Sequence, residues 1–192
     1  GICGIVHNVG DNYKITDNTN NGNITFDKTA ATNAPFCGGI LAIADAPVEV
    51  TGNINEGNVK TISACTSPTG VAGGIVGTLF RNSGRKGSAN RTTAISENYN
   101  FGEVTLEAGE NKDGATGVAA GIVGNFNIQY GTEDDKNTVT LNHNRSVGAI
   151  TNTVGSTGAI FATCSSAKAL NITAHGNRIG CVLNGVAATA EN

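Results

Sequence analysis

The sequence has few charged residues and no long apolar run, and these shortages exclude several classes of protein. Only 14% of its 192 residues are charged, against roughly 25% in an average soluble domain. The net charge of -3 is spread along the chain, so we expect no nucleic-acid partner and no electrostatic capture by an anionic membrane. No stretch approaches about 18 consecutive apolar residues, so no membrane insertion of this segment is predicted.

Methionine and tryptophan are absent, and proline occurs only 3 times. Because the chain begins with Gly1 and contains no Met, we expect it to be part of a longer or processed chain. Gly (27), Asn (25) and Thr (23) are abundant, and all three have low helix propensity. No apolar stripe with helical spacing persists in any window, so the composition favours short strands separated by turns.

The five cysteines show no CxxC pair and no Cys/His spacing suited to zinc. We therefore predict no metal site and no cofactor. An odd number of cysteines leaves at least one thiol unpaired. Two interpretations stay open for the others: a bridge such as Cys164 to Cys181, or buried free thiols that pack as small hydrophobic groups.

A repeat is the most informative feature that the sequence does contain. A small residue followed by Ile returns five times, at spacings of 35, 35, 47 and 38 residues. These anchors are Gly4-Ile5, Gly39-Ile40, Gly74-Ile75, Gly121-Ile122 and Ala159-Ile160. Self-similarity at such a period predicts a repeat architecture. We expect a single domain over residues 1-192, with repeats at about 1-36, 37-71, 72-118, 119-157 and 158-192.

Aligning the repeats produces three apolar columns. The first column contains Ile5, Ile40, Ile75, Ile122 and Ile160, the second Ile15, Val50, Ile95, Leu141 and Thr173, and the third Ile24, Val59, Val104, Ile150 and Val182. Each column marks a short strand that returns once per repeat. The pattern predicts an all-β fold, a single-stranded parallel β-helix (β-solenoid) of about five coils with three short strands per coil, stacked about 4.8 Å apart.

Two polar columns support stacking. They contain Asn18, Asn53, Asn98 and Asn144, and Gly22, Gly57, Gly102, Gly148 and Gly180. We interpret the Asn column as structural: it would lie at a bend where Asn tolerates left-handed backbone and where its amide bonds the same amide in the next coil. The Gly column fits a turn that needs either a positive φ or a close approach of two backbones.

Three units carry a resemblance to a known family. Cys37-Gly-Gly-Ile-Leu41, Ala72-Gly-Gly-Ile-Val-Gly77 and Ala120-Gly-Ile-Val-Gly124, each followed by a segment of the N-x-N-x-G-x-[IV] type, resemble the GLUG motif repeats of large bacterial surface proteins. The resemblance implies a β-helical, non-catalytic portion of adhesin-like proteins or of surface IgA-cleaving metalloproteases. It is strong from 37 to 124 and weak after 150, where the fifth repeat lacks both the double Gly and the Asn pair.

Recognition is expected in the longer segments between the first and second columns. This gap grows from 9 residues in the first two repeats to 19 and 18 in the third and fourth, and a solenoid projects such insertions from one corner. The candidate ligand-binding residues are Arg81, Arg85, Lys86, Arg91, Phe126, Tyr130, Glu133, Asp134 and Asp135. The segment of the third repeat that carries Arg81, Arg85, Lys86 and Arg91 would face the segment of the fourth repeat that carries Glu133, Asp134 and Asp135. They form either partly exposed salt bridges or a polar groove with aromatic walls.

We interpret the chain as a non-catalytic extracellular β-solenoid scaffold, an adhesin-like module of a secreted or cell-surface protein. Its partners would be flanking domains of the same polypeptide or neighbouring copies stacked end to end, with a glycan or host protein as ligand. One alternative is a polysaccharide-active β-helix enzyme, a lyase or hydrolase, that uses Glu133, Asp134 and Arg85. The other is a self-stacking subunit of an extracellular filament, since an open coil edge is a template for strand pairing.

Overall fold

The computed structural model describes residues 1–7, 13–28, 35–63, 70–79, 92–109, 116–127, 137–164 and 170–188. Within these ranges the chain forms only short β-strands, four to six in each of five coils. None of the described residues forms a helix of the length and apolarity that crossing a membrane requires.

The strands follow one another around the coils in a fixed order. The first coil contains β1 (Cys3–Val6), β2 (Tyr13–Thr16), β3 (Thr19–Asn20) and β4 (Ile24–Lys28). The second contains β5 (Phe36–Gly38), β6 (Leu41–Ala44), β7 (Val48–Thr51), β8 (Ile54–Asn55) and β9 (Val59–Ser63). The third contains β10 (Gly70–Gly73), β11 (Val76–Leu79), β12 (Thr92–Ser96), β13 (Tyr99–Asn100) and β14 (Val104–Ala108). The fourth contains β15 (Gly117–Ala120), β16 (Val123–Phe126), β17 (Asn137–Asn142), β18 (Arg145–Ser146) and β19 (Ile150–Asn152). The fifth contains β20 (Gly155–Gly158), β21 (Phe161–Cys164), β22 (Leu170–His175), β23 (Arg178–Ile179), β24 (Val182–Leu183) and β25 (Val186–Ala187).

Strands at the same place in successive coils pair in parallel and build five sheets. The first three sheets have the orders β1-β6-β11-β16-β21, β2-β7-β12-β17-β22 and β3-β8-β13-β18-β23. The fourth is β4-β9-β14-β19-β24-β25 and the fifth is β5-β10-β15-β20. The predicted parallel β-solenoid is therefore confirmed, but its middle coils hold five strands each instead of three. The prediction misses the third and fifth sheets because their strands are only two residues long or rich in Gly and Ala.

The register confirms the predicted columns in the middle coils and corrects the first coil. Val76 pairs with both Leu41 and Val123. In the first coil, however, Cys3 is the residue opposite Leu41, and Ile5 lies opposite Ile43. Ile2 therefore continues the first apolar column, and the placement of Ile5 in it was wrong by three residues. The chain begins Gly-Ile-Cys-Gly-Ile, so the local pattern offers two equal anchors and only stacking selects between them.

The last coil is shifted by one residue from the predicted alignment. Leu141 pairs with Ala174 and Ile150 pairs with Leu183, so Thr173 and Val182 do not belong to the second and third columns. Val182 is instead 38% exposed. A single-residue shift moves a side chain to the opposite face of a strand, which is why the error matters for the core.

The core is narrow and consists of two apolar clusters. The first cluster lies between the first and second sheets and includes Ile75, Ile95 and Leu141, all fully buried. The second includes Val104 and Ile150 and lies against the fourth and fifth sheets. Each cluster repeats the same side-chain types once per coil, so the burial of one coil depends on its two neighbours.

A hairpin ends the parallel stacking in the fourth sheet. Strands β24 and β25 pair antiparallel across Asn184 and Gly185, whose φ angles are 46° and 83°. This Asn-Gly turn has positive φ at both central residues, as a type I′ hairpin requires. The side chain of Asn184 also accepts the backbone N–H of Asn152 at 2.8 Å, which fixes the hairpin to the fourth coil. At the last coil, the outer edge of the fourth sheet is thus occupied by β25.

Candidate functional site

Most of the predicted ligand-binding residues lie outside the described part of the chain. They are Arg81, Arg85, Lys86, Arg91, Tyr130, Glu133, Asp134 and Asp135. Phe126 is described, and its placement as a groove wall was wrong. Its side chain is fully buried in the first cluster and meets the ring of Phe161 edge-on, with ring centroids 5.3 Å apart. Phe126 therefore presents no surface to a ligand.

The predicted Asn column forms a continuous hydrogen-bonded stack, which we call the first amide ladder. Its members are Asn18, Asn53, Asn98, Asn144 and Asn177. In each step the Nδ2 of one Asn donates to the Oδ1 of the Asn in the next coil, at 3.0 to 3.1 Å. Asn177 shows that the ladder continues into the fifth coil, so the fifth repeat retains one Asn of the pair that it was predicted to lack.

Each interior amide of this ladder is fully satisfied. The Oδ1 of Asn98 accepts both the backbone N–H and the Nδ2 of Asn53, at 3.1 and 3.0 Å. Its own Nδ2 donates to the Oδ1 of Asn144 and to the carbonyl of Val50, at 3.0 and 2.8 Å. Asn98 is 0% exposed, so these bonds offset the cost of burying an amide. The ladder is therefore structural, as predicted, and holds successive coils in one register.

A second amide ladder separates the two apolar clusters. Asn20 and Asn55 donate through Nδ2 to the Oδ1 of Asn55 and Asn100, in both cases at 2.8 Å. Ser146 takes the next position, and the amide stack ends there. A Cβ on Gly74 would collide with the amide of Asn100 and with the carbonyl of Gly121. At Gly39 and Gly74 the anchor Gly is thus required, because the second amide ladder lies directly against the backbone.

Left-handed backbone occurs one residue before the Asn column, not at the Asn residues themselves. The residues with positive φ are Asp17 (57°), Gly52 (69°), Glu97 (57°), His143 (55°) and Gly176 (63°). They occupy equivalent positions in the five coils. Gly, Asp and His adopt this conformation more readily than most residues, and Glu97 is the member of the column that residue preference does not favour. The constraint comes from the bend that the ladder imposes.

The Gly column is explained by close approach of neighbouring backbones. A Cβ on Gly57, Gly102 or Gly148 would collide with the carbonyl of the residue below it in the stack. Gly180 does not belong to this column, which corrects the prediction. The one-residue shift of the last coil places Cys181 there, where it is 2% exposed, while Gly180 is exposed.

The described cysteines are free thiols. Cys164 is exposed and Cys181 is buried, so the bridge considered between them is not formed. Burial raises the pKa of the Cys181 thiol, and the nearby Ser146 hydroxyl partly offsets this effect. Burial likewise raises the pKa of Cys37, with an opposing contribution from the Thr61 hydroxyl. Among the described residues, no three His, Cys, Asp or Glu side chains come together to hold a metal ion.

The exposed face of the third sheet carries an ordered row of side chains. Because strand residues alternate between faces, the residue after each Asn of the first ladder points outward. This outer row contains Thr19, Ile54, Tyr99, Arg145 and Arg178. Beside it, the ring of Phe101 lies nearly parallel to that of Tyr99, with an interplanar angle of 7° and centroids 6.4 Å apart. Two exposed rings and two exposed guanidinium groups thus occupy neighbouring coils.

A groove lies at the C-terminal end of this face, and we call it the arginine groove. It encloses about 580 Å³ and is lined by Tyr99, His143, Arg145, Gly176, Asn177 and Arg178. The imidazole of His143 packs against Gly176, where a Cβ would collide with the ring. The amide of Asn177 is held from below by its bond to the Leu141 carbonyl at 2.7 Å. The groove is therefore built on the rigid end of the first amide ladder.

The cations of the groove are not neutralised by described carboxylates. The ion pairs in the described ranges join His7 to Asp45, Lys14 to Glu49 and Lys60 to Glu107, at 2.8 to 2.9 Å. Arg145 and Arg178 take part in none of them. The nearest acidic position in the same columns is Glu97, one coil below His143. The groove therefore presents two positive charges that no carboxylate of the described ranges pairs with, which suits an anionic group.

Sequence analysis did not identify this groove. The outer row could have been predicted from the sequence, because its members are the residues that directly follow each Asn of the first amide ladder. Asn144 is followed by Arg145 and Asn177 by Arg178. Recognising the second pair required placing Asn177 in the column. Comparison of the chain with family models, with curated proteins and with solved structures found no match.

Proposed function

We propose that the chain is a non-catalytic extracellular β-solenoid scaffold, an adhesin-like module of a secreted or surface protein that recognises its ligand on the exposed face of the third sheet. The observation that carries this proposal is the outer row, where exposed rings and cations are held in register by a fully bonded amide ladder. Binding sites built on rigid elements keep their geometry without a bound ligand, which favours recognition. The resemblance to GLUG repeats supports the same setting.

Exposure of large apolar side chains supports a recognition role for this face. Nine large hydrophobic residues are exposed among the described residues, and seven lie on the first or last coil. The two in the middle of the rod are Tyr99 and Phe101, which stack on each other beside the groove. Stacking of the coils leaves side chains of the end coils uncovered, but it does not account for these two. Exposed aromatic residues beside polar groups are typical of interaction sites.

Binding and turnover measurements on the same samples test this proposal. The protein is run through native gels that contain neutral or acidic polysaccharides, and the same polysaccharides are assayed for new reducing ends and unsaturated products. Retardation without product formation supports a binding scaffold. Product formation would establish the enzyme alternative instead, and the absence of retardation with every polysaccharide would reject saccharide recognition.

The loop corner predicted from sequence is a competing site on the same scaffold. If a ligand binds there, Arg85→Ala and Tyr130→Ala will weaken retardation in the native gels. If it binds on the third-sheet face, both variants will migrate like the unmodified protein, while Tyr99→Ser will lose retardation. A ligand that is affected by neither set of substitutions would contradict both placements.

A second candidate function is end-to-end assembly, which the direction of the first amide ladder favours. In every bond between two amides of this ladder, the donor lies in the earlier coil and the acceptor in the next coil toward the C-terminus. The Oδ1 of Asn18 accepts no bond from a described residue, and the backbone N–H of Asn177 has no described acceptor. The first coil of a second copy would therefore offer acceptors to the donors of the last coil. Strand β25 occupies the fourth-sheet edge, so this pairing would use the first three sheets.

Sedimentation over a range of dilutions tests this assembly. A stacked filament dissociates on dilution, and Ile5→Lys at the exposed edge of the first coil should shift the mass toward the monomer. Phe101→Lys is the matched control, because it adds the same charge at an exposed apolar position in the middle of the rod. A single compact species at every concentration would rule out self-stacking.

A further inference from the structure

Arg145 and Arg178 are placed to hold one anionic group between them. They are direct partners in the parallel register of β18 and β23, so their Cα atoms are separated by one coil spacing of about 5 Å. Both side chains are exposed on the outward face and belong to no ion pair with a described residue. A guanidinium group presents a planar fork of donors that matches a carboxylate or a sulfate. Two such forks on adjacent coils form a clamp for one of these groups.

Charge along the face directs an anion to this end. The acidic residues Asp17, Glu56 and Glu97 lie on the first, second and third coils, all exposed. The fourth and fifth coils carry the two arginines and no acidic residue on this face within the described ranges. Over such short distances, the field of unpaired charges is only partly screened by physiological salt. The anionic group of a ligand is therefore favoured at the arginine groove over the first three coils.

Tyr99 and Phe101, beside the clamp, determine which class of anionic ligand fits the groove. Tyr99 precedes Arg145 in the outer row and lines the groove, and Phe101 extends the apolar surface away from it. A ligand that fits both features has an apolar ring face next to an anionic substituent. Acidic saccharides have this combination, because each sugar ring presents its C–H face and carries the carboxylate or sulfate at its edge. An acidic peptide has the charge but no ring face at a fixed distance from it.

We infer that the arginine groove binds an acidic polysaccharide, with Arg145 and Arg178 clamping a carboxylate or sulfate while the sugar ring packs on Tyr99. This inference rests on the proposed recognition function and specifies its ligand class. His143 and Asn177 line the same groove and contribute donors to the hydroxyl groups of the sugar.

Calorimetric titration with defined oligosaccharides tests the inference. The probes are a uronic-acid oligomer, a sulfated oligomer, a neutral oligomer of the same length and a poly-glutamate peptide. The uronic-acid and sulfated arms identify which anion the clamp takes. Arg145→Gln and Arg178→Gln each remove the charge of an exposed side chain and should lower the affinity for the acidic oligomers about tenfold. Lys14→Gln, which removes an exposed cation from the second sheet, is the matched control and should leave the affinity unchanged.

The outcomes separate this inference from the proposed function. Tenfold weakening by both arginine substitutions, with no effect of Lys14→Gln, supports the clamp. Equal binding of neutral and acidic oligomers that ignores the arginine substitutions overturns the clamp and leaves saccharide recognition in place. Binding of poly-glutamate alone overturns the saccharide class. If none of the four probes binds, the clamp and the proposed recognition function both fail. Circular dichroism of each variant verifies that the exposed substitutions leave the fold intact.

Discussion

Replacement of Asn98 by Ala tests whether the first amide ladder stabilises the coil stack. Asn98 lies in the third coil, with ladder neighbours above and below, and is completely buried. The substitution removes the acceptor of two donors of Asn53, its backbone N–H at 3.1 Å and its Nδ2 at 3.0 Å. The carbonyl of Val50 also loses a donor at 2.8 Å. No described side chain can replace the lost amide inside the column.

The magnitude follows from the number of groups left without a partner. A buried polar group that loses its partner costs about 1–3 kcal/mol, and the backbone N–H of Asn53 is such a group, whereas its Nδ2 keeps the carbonyls of Ile15 and Thr51 as acceptors. The lost hydrogen bond to the Val50 carbonyl adds about 1 kcal/mol, so the expected loss is about 2–4 kcal/mol. That is a large share of the roughly 5–15 kcal/mol by which a folded domain is stable. The measurement is the free energy of unfolding in urea, followed by circular dichroism in the β-sheet region.

Asn18→Ala is the matched control, because it changes the same residue type in the same column at the open end. No described residue donates to the Oδ1 of Asn18, and the Oδ1 of Asn53 would keep the backbone N–H of residue 18 at 3.1 Å. The expected loss is therefore about 1 kcal/mol. Equal losses in the two variants, or a loss below about 1 kcal/mol for Asn98→Ala, would refute a stabilising role for the ladder.

Four further predictions use other parts of the fold. Gly74→Ala should unfold the protein or lower its stability by about 3 kcal/mol or more in thermal melts, because the added Cβ collides with backbone. Gly4→Ala is the control and should be neutral, because no atom lies within 4 Å of the added Cβ. Mass spectrometry after alkylation should show rapid labelling of exposed Cys164 and slow labelling of Cys181. Because burial raises the pKa of Cys181 in the folded state, the stability that this thiol contributes should fall as the pH rises above its ordinary value of 9.0. Glu97→Gln should strengthen the binding of acidic oligosaccharides by up to about fivefold in calorimetry, because it removes an exposed repulsive charge, and weaker binding would contradict the electrostatic argument.

The middle of the solenoid could be predicted because several independent patterns agree there. Ile75, Asn98 and Gly102 each have counterparts in both neighbouring repeats, and each has its own reason to stack. An apolar residue needs burial, an amide needs a partner, and a Gly needs to leave room for a carbonyl. Agreement of three requirements on one register leaves little freedom for another arrangement.

The ends could not be predicted in the same way. Ile2 and Ile5 both follow a Gly, and only the hydrogen bond from the N–H of Ile2 to the carbonyl of Ile40 decides which of them stacks. In the last coil, Cys181 replaces Gly in its column. A terminal coil has one neighbour instead of two, so fewer contacts restrict its residues and its sequence pattern is weaker.

The candidate site likewise has a part that the sequence predicts and a part that depends on the stacking of coils. Arg145 and Arg178 are 33 residues apart, and each alone is an ordinary surface cation. Their pairing in adjacent strands depends on the number of residues in each coil, and that number differs from coil to coil. The sequence spacing alone therefore does not show that the two arginines are neighbours. The loop residues predicted from charge and length lie outside the described part of the chain, and the proposal for them remains a prediction.

By itself, the sequence determined that this chain stacks parallel coils, how many coils there are, and which polar and apolar residues line the interior. These properties follow from the chemistry of each repeated residue and need only its period. The tertiary structure decided the register at both ends, the left-handed backbone at Asp17, Glu97 and His143, and the meeting of two arginines beside an aromatic pair. Those features arise between coils, where geometry depends on every contact of the stack and not on the residues of one repeat.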